Sequence, residues 1–164
     1  MTDLIPYPFQ AEIEAAAGIQ GLPPALVAAV VSVESAFDPN AYRMEPLFWV
    51  RYRLAQHPVY GPLGCERASA SYGLCQLMFP VAYELGYRGE PEGLYHPFLN
   101  LEYGTRKLRA NLDWARGQTP DEALALRSAV AAYNGGKGSN RPTDSPLRND
   151  RYARKVLAAM KPYC

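Results

Sequence analysis

Residues 25–42 read ALVAAVVSVESAFDPNAY, and this stretch decides how the rest of the chain is interpreted. The nine residues that precede Glu34 include one polar side chain, Ser32. A helix that is apolar on nearly all sides is typical of the centre of a core. Pro39 disfavours helical backbone angles at the residue before it, so the helix is expected to finish near Phe37. The stretch predicts a buried central helix that carries an acid close to its carboxyl end.

An ionised carboxylate at Glu34 is disfavoured for two physical reasons. The helix dipole is negative at the carboxyl end, and apolar neighbours such as Val30, Val31 and Phe37 penalise the charged form. Both effects are expected to raise the pKa of Glu34. A glutamic acid that stays protonated near neutrality can protonate a glycosidic leaving oxygen. The alternative for Glu34 taken alone is an ordinary solvated or salt-bridged surface acid.

Length and composition bound the class of protein. The chain has 164 residues, 48% of them apolar, and a net charge of +1. These values predict one domain over residues 1–164 that does not bind nucleic acid. The lack of an apolar run of about 18 residues predicts no insertion into a membrane, and we expect a monomer. The first ten residues, MTDLIPYPFQ, lack the features of a signal peptide, which predicts synthesis in the cytoplasm. The three cysteines do not form a metal-binding pattern, and Cys65 and Cys75 are expected to be thiols rather than a disulfide.

Hydrophobic periodicity predicts a mainly α fold of about seven helices. A capping box of Thr119, Pro120 and Glu122 is expected to begin one of them, which should end at Gly135 and Gly136. The region 58–71 is rich in Gly, Pro and Ser and predicts a loop with a small β-hairpin. The helices are expected over residues 9–18, 24–37, 45–56, 72–85 with a break at Pro80, 97–116, 119–134 and 150–160.

Four stretches, in this order along the chain, carry a family resemblance. They read VVSVESAFDPNA, YGLCQLMFPVAYELG, NLEYGTRKL and AVAAYNGG. Together they resemble the Glu-Ser, Gly-Leu-Met-Gln and Ala-Tyr-Asn-x-Gly motifs of the soluble lytic transglycosylase and goose-type lysozyme family. The run YARKVL, which begins at Tyr152, is similar to the closing helix of that family. The resemblance covers residues 22–160, most of the chain.

The resemblance implies a lysozyme-like domain that acts on peptidoglycan glycan strands, with no cofactor and no metal. The bond cleaved is the β-1,4 bond between N-acetylmuramic acid (MurNAc) and N-acetylglucosamine (GlcNAc). Glu34 matches the catalytic acid, which then acts as a base on the 6-hydroxyl of the sugar and leaves a 1,6-anhydro end. The positions that match residues orienting this acid or holding the glycan are Ser35, Gln76, Tyr133, Asn134 and, more weakly, Tyr152.

Two departures from the family pattern bear on mechanism. Cys75 stands where the family has Met, and an insert occupies residues 42–71. The insert is interpreted either as a lobe that extends the glycan groove or as the source of a second carboxylate, Glu45 or Glu66. A second carboxylate would position water and make the protein a hydrolytic muramidase, since hydrolysis normally uses a carboxylate pair.

A third alternative is a non-catalytic glycan-binding module on the same fold. For the two enzymatic alternatives, action on the cell wall without a signal peptide suggests delivery by a phage, either as a released lysin or as a virion component, or export of a bacterial enzyme by another route.

Overall fold

The computed structural model describes residues 5–164, so the first four residues of the amino-terminal stretch lie outside the description. The chain is mainly α, with a small three-stranded antiparallel sheet, which confirms the predicted lysozyme-like fold class. Within residues 5–164, no helix has the length and apolar character needed to cross a membrane. The eight described helices are α1 (Gln10–Gln20), α2 (Pro24–Ser35), α3 (Pro46–Arg51), α4 (Cys65–Ala68), α5 (Phe79–Glu84), α6 (Pro97–Arg116), α7 (Glu122–Gly135) and α8 (Asp150–Ala159).

The chain divides into two compact units. The helical unit comprises Met1–Val33 and Thr105–Cys164, and the mixed unit comprises Glu34–Gly104. Helices α2 and α6 each contribute residues to both units. The expectation of a single domain over 1–164 stays a prediction.

The helical unit has an aliphatic core of small side chains. In α2 every residue from 25 to 31 is buried, which is the pattern expected of a central helix. The buried side of α7 is built largely of alanines, and α8 packs along α7. Leu108 and Leu112 of α6 are also buried, as their spacing on an amphipathic helix predicts.

The mixed unit is organised around the sheet, in which the order is β1-β2-β3. Strand β1 (Tyr42–Met44) pairs antiparallel with β2 (Ala70–Tyr72), and β2 continues through a tight turn into β3 (Leu77–Met78). The insert thus supplies β1 and two short helices, α3 and α4, between the first pair of strands. Three short 3-10 turns complete this unit, at Leu54–Gln56, Gly61–Leu63 and Pro91–Tyr95.

Several local predictions are wrong, for identifiable reasons. Helix α2 ends at Ser35 and not near Phe37, because the next two residues are left-handed. The helix expected from Tyr72 begins only at Phe79, because residues 72–78 form the end of β2, a turn and β3. Helix α7 begins at Glu122, where the Asp121 side chain, not that of Thr119, accepts a hydrogen bond from the backbone of the first turn.

The insert helix was expected to run over residues 45–56, with Leu47, Trp49 or Val50, and Leu54 as candidates for burial, and of these Leu47 and Val50 are exposed. Leu47 is 79% exposed and Val50 is 72% exposed. Helix α3 has only six residues, and Phe48 and Trp49 occupy the side that packs against the core of the mixed unit. The left-handed residue Arg53 ends the helical path before the buried Leu54.

Candidate active site

Glu34 lies in the last turn of α2, and both Glu34 and its neighbour Ser35 are partly buried. The two residues that follow, Ala36 and Phe37, have φ angles of 51° and 62°. Left-handed angles cost non-glycine residues of order 1–3 kcal/mol each, so the chain bends sharply here at a local energetic cost. A hydrogen bond of 3.0 Å from the backbone N–H of Asp38 to the carbonyl of Ser35 closes the bend.

The turn formed by residues 73–76 contacts the segment after Glu34 through two side chains that the sequence singled out. The Ser35 hydroxyl donates a hydrogen bond of 2.8 Å to the carbonyl of Leu74. The amide Nε2 of Gln76 donates to the carbonyl of Ala41 at 3.1 Å and also to the carbonyl of Gly73 at 3.1 Å. The backbone N–H of Gly73 donates to the same Ala41 carbonyl at 2.8 Å. The structure therefore brings Ser35, the chain neighbour of Glu34, into contact with the turn that contains Gln76.

Asn100, whose role the sequence did not reveal, holds this turn from the other side. Its side chain is fully buried, donates to the carbonyls of Tyr72 at 2.7 Å and Leu94 at 2.8 Å, and accepts from the Cys75 N–H at 2.7 Å. Gly73 has a φ of 68°, and a Cβ there would lie 2.7 Å from Nδ2 of Asn100. Asn100 begins the stretch NLEYGTRKL and stands four residues before Gly104 and eight before Leu108, so the signal that could have found it is a polar residue on the apolar side of an amphipathic helix.

The two candidates for a second carboxylate have different surroundings. The Glu45 carboxylate accepts a hydrogen bond of 2.6 Å from Nε of Arg43. The backbone N–H of Glu45 donates to the Ser69 carbonyl, and the Ser69 hydroxyl donates to the Glu45 carbonyl, each at 2.7 Å. Glu66 is exposed on α4, and its carbonyl accepts a hydrogen bond of 2.7 Å from the Tyr42 hydroxyl. The carboxylate of Glu45 thus forms an ion pair with a neighbouring guanidinium, while Glu66 is exposed to solvent.

Tyr133 and Asn134 end α7 in the helical unit. Tyr133 is 3% exposed, which leaves little of its ring available as an open stacking surface. Nζ of Lys107 donates to the Tyr133 carbonyl at 2.7 Å and lies 4.0 Å from the centroid of its ring. Asn134 is exposed, and its Oδ1 accepts a hydrogen bond of 2.8 Å from Nδ2 of Asn149.

Tyr152 lies on α8, the helix that packs along α7, and its side chain is partly buried. The start of α8 is fixed by Asp150, which is bonded to Arg127 on α7 and to Arg154 at 2.8 Å. These two guanidinium groups, that of Arg127 first, hold the pKa of Asp150 below its usual value. The site residues therefore fall in two sets, with Glu34, Ser35 and Gln76 in the mixed unit and the other three in the helical unit.

The cysteines and potential metal ligands show no further site. Cys65 and Cys75 are thiols, of which Cys75 is the buried one. Cys75 contributes its backbone N–H to the bond with Asn100, which does not depend on whether Cys or Met stands there. Across the described part of the chain, no three His, Cys, Asp or Glu residues are grouped closely enough to hold a metal ion.

Comparison with known proteins identifies the family. The sequence profile of the Transglycosylase SLT domain matches residues 11–153. Protein virB1 of Agrobacterium fabrum strain C58 is 35% identical to the chain over 118 residues, which is 69% of this chain and 46% of virB1. The chain thus spans about half the length of that relative. The profile match covers most of the chain, and the chain therefore belongs to the Transglycosylase SLT domain family.

Proposed function

We propose that this chain is a peptidoglycan lytic transglycosylase that cleaves the MurNAc-β-1,4-GlcNAc bond with Glu34 as acid and base. Membership of the Transglycosylase SLT domain family supports the reaction class. The observation that carries the assignment of Glu34 is its place before two left-handed residues, on a segment bonded to the turn that contains Gln76. Such strain is concentrated at functional sites, where the surrounding structure must hold it.

The proposed reaction needs one carboxyl group and no water. The Glu34 carboxylic acid donates its proton to the glycosidic oxygen as the bond from C1 of MurNAc to that oxygen breaks, and GlcNAc leaves with a 4-hydroxyl. The resulting carboxylate then accepts the proton of the MurNAc 6-hydroxyl as O6 bonds to C1. The product is a 1,6-anhydro end, and Glu34 is protonated again. Atoms and charge balance without a second nucleophile.

The other site residues act in this proposal without adding charge. Ser35 and Gln76 donate to backbone carbonyls at 2.8 and 3.1 Å, so they position the segment around Glu34. Tyr133 is almost completely buried and would act by positioning, whereas Asn134 is exposed and would contact the glycan. Tyr152, on the helix packed along α7, would support the same region. Neutral groups of this kind add no charge that would favour ionisation of Glu34.

The hydrolytic alternative would need Glu45 or Glu66 to activate water. The ion pair of 2.6 Å with Arg43 occupies the carboxylate of Glu45, which favours a structural role for it. Glu66 is exposed and carries its carboxylate on a four-residue helix. We therefore propose that neither is required, and that the insert extends the surface that meets the glycan. Delivery to the wall as a phage lysin or virion component stays a prediction.

The decisive experiment combines Glu34→Gln with identification of the products. Loss of general acid and base catalysis is expected to reduce digestion of purified peptidoglycan by about a thousandfold. The matched control is Glu84→Gln, which changes an exposed acid of the same unit and should leave the rate unchanged. Undiminished digestion by the Glu34→Gln variant would show that Glu34 is not the acid.

Mass spectrometry of the muropeptides distinguishes the two chemistries. Products that carry 1,6-anhydroMurNAc are lighter by one water than products with a reducing end. We expect anhydro products from the wild-type chain and from both Glu45→Gln and Glu66→Gln. Reducing ends that vanish in one of these two variants would establish hydrolysis with that residue as the second carboxylate. A chain that binds glycan strands but releases no products would be a glycan-binding module.

A further inference from the structure

Three asparagines of the helical unit form a continuous chain of side-chain hydrogen bonds, called here the asparagine chain: Asn140, Asn149 and Asn134. Nδ2 of Asn140 donates to Oδ1 of Asn149 at 3.0 Å, and Nδ2 of Asn149 donates to Oδ1 of Asn134 at 2.8 Å. Asn140 is fully buried and Asn149 is partly buried, while Asn134 is exposed. The bonds therefore run from the interior to the surface.

Two backbone groups fix the direction of every bond in the asparagine chain. The carbonyl of Gly136 can only accept, and it lies 2.9 Å from Asn140 Nδ2. The backbone N–H of Asn149 can only donate, and it lies 2.8 Å from Asn140 Oδ1. An amide has one donating and one accepting end, so Asn140 cannot be rotated without breaking both bonds. Its donating end then requires Oδ1 of Asn149 to face it, which turns Nδ2 of Asn149 toward Asn134.

The position of Asn149, and with it the orientation of Asn134, is fixed by packing as well as by the direction of the hydrogen bonds. A Cβ at Gly135 would lie 1.9 Å from Oδ1 of Asn149, so only glycine lets the Asn149 side chain lie against the end of α7. The hydroxyl of Ser128, a buried residue of α7, donates to the carbonyl of Asn140. Asn149 is also the residue that immediately precedes α8. The orientation of Asn134 is consequently set by the fold and not by solvent.

We propose that Asn149 is a positioning residue that makes Asn134 a hydrogen-bond donor to the ligand. Oδ1 of Asn134 accepts from Asn149, so Nδ2 carries the hydrogens that remain for a ligand; within residues 5–164 no acceptor bonds to that group. The ligand atom that fits is a neutral oxygen acceptor. On an N-acetylated sugar, the acetamido carbonyl oxygen is the strongest neutral acceptor. The choice of sugar rests on the proposed function, whereas the polarity of Asn134 rests on the hydrogen bonds alone.

Asn149→Asp tests the proposal because it reverses the polarity of Asn134 without altering Asn134 itself. One Asp oxygen still accepts from Asn140, and the other now faces Asn134 as an acceptor. Asn134 must then rotate so that Nδ2 donates inward and Oδ1 faces the ligand. Loss of one outward donor is expected to raise the dissociation constant for tri-N-acetylchitotriose about tenfold. Asn134→Asp removes the same donor directly and should have a similar effect.

Arg148→Gln is the matched control for charge. It lowers the charge of the same loop by one, as Asn149→Asp does, and the side chain of Arg148 is exposed. Tri-N-acetylchitotriose is neutral, so this control should leave its affinity unchanged. An unchanged affinity in Asn149→Asp, or an equal loss in Arg148→Gln, would overturn the positioning role.

A second measurement reads the polarity of Asn134 independently of any glycan. By NMR, the side-chain NH2 protons of Asn134 should exchange with water faster than those of buried Asn140 in the wild-type chain. In Asn149→Asp the Asn134 protons should become protected. Protected Asn134 protons in the wild type would overturn the polarity. A wild-type chain that does not bind tri-N-acetylchitotriose would overturn the acetamido assignment and count against the proposed function. The exchange of the Asn134 NH2 protons would still decide the polarity of Asn134.

Discussion

The two units differ in what fills their cores. The helical unit is filled mainly by alanine, valine and leucine, and its buried polar side chains include Thr105, Asn111, Ser128 and Asn140. The core of the mixed unit contains three buried tyrosines and a phenylalanine around the sheet, and rings of neighbouring residues meet them edge to face. Ring centroids of Tyr72 and Tyr95, for example, are 5.2 Å apart.

This difference follows from where backbone hydrogen bonds are made. A long helix satisfies its own backbone, so small side chains that allow close packing are sufficient. Short strands, turns and one-turn helices leave carbonyls without a regular partner, and buried carbonyls need one. Tyrosine supplies both bulk and a donor: the hydroxyl of Tyr72 donates to the Arg67 carbonyl and that of Tyr87 to the Glu90 carbonyl, each at 2.7 Å. The side chain of Asn100 likewise provides hydrogen-bond partners for the backbone of the turn beside Glu34.

Among substitutions that test this difference between the units, Asn100→Leu is expected to cause the largest loss of stability. Leucine would leave one N–H and two carbonyls of the mixed unit without their partner, at residues 72, 75 and 94. Each unsatisfied buried group costs about 1–3 kcal/mol, so we expect a loss of about 3 kcal/mol or more in the free energy of unfolding. Urea denaturation monitored by circular dichroism measures it.

Asn111→Leu is the matched control in the helical unit. Asn111 is also buried, but the bond its side chain makes is one of 3.3 Å, from Nδ2 to the carbonyl of Ala129 on α7. The expected loss is about 1 kcal/mol. Peptidoglycan digestion should fall only in the Asn100 variant when both are assayed well below their melting temperatures. Equal losses of stability and activity would contradict the idea that irregular backbone is what makes Asn100 costly to replace.

The same distinction explains what the sequence could predict of the fold. The bounds of α6 and the end of α7 were predicted correctly, because periodicity, proline at the start and glycine at the end are local signals. The pairing of β1 with β2 was missed because the two strands lie far apart in the chain and are only three residues long. Gln76 has a left-handed backbone and donates a side-chain hydrogen bond to the distant Ala41 carbonyl, which no local pattern reports.

The candidate site shows a similar division. Glu34 stood out because an acid after an apolar helix is unusual, and Ser35 and Gln76 followed from the resemblance to the family. Asn149, which sits in a Gly-, Ser- and Asn-rich region, was not predicted. Its importance depends on a partner that precedes it by 15 residues and on a glycine that makes room for it.

A smaller effect is expected from Tyr72→Phe, which removes the hydroxyl but keeps the ring. The Arg67 carbonyl would lose its donor, and the expected cost is about 1.5 kcal/mol. Tyr95→Phe is the control, since Tyr95 packs edge to face on Tyr72 and is only partly buried. It should cost less than about 0.5 kcal/mol in the same denaturation experiment. A cost for Tyr72→Phe no greater than that of the control would show that tyrosine is used here for bulk alone.

The smallest effect concerns an ion pair of the helical unit, where polar contacts join helices instead of supporting irregular backbone. Asp150 has a pKa held below its usual value by Arg127 and Arg154, so it stabilises the folded chain above the unfolded-state pKa of about 3.9. That contribution is lost as the pH falls through the lower folded-state pKa. Asp150→Asn should therefore cost about 0.5–1 kcal/mol at pH 7, a modest value because water screens partly exposed pairs.

The cost of Asp150→Asn should shrink as the pH falls below the unfolded-state pKa, because protonation of Asp150 removes the charge that pairs with the two guanidinium groups. Asp113→Asn is the control at pH 7, because Asp113 pairs with Arg109 on one helix surface and its side chain is 53% exposed. It should cost at most about 0.5 kcal/mol. A cost of Asp150→Asn that persists unchanged at low pH would contradict this account. It would mean that α8 is joined to α7 at Asp150 by shape and hydrogen bonding and not by charge.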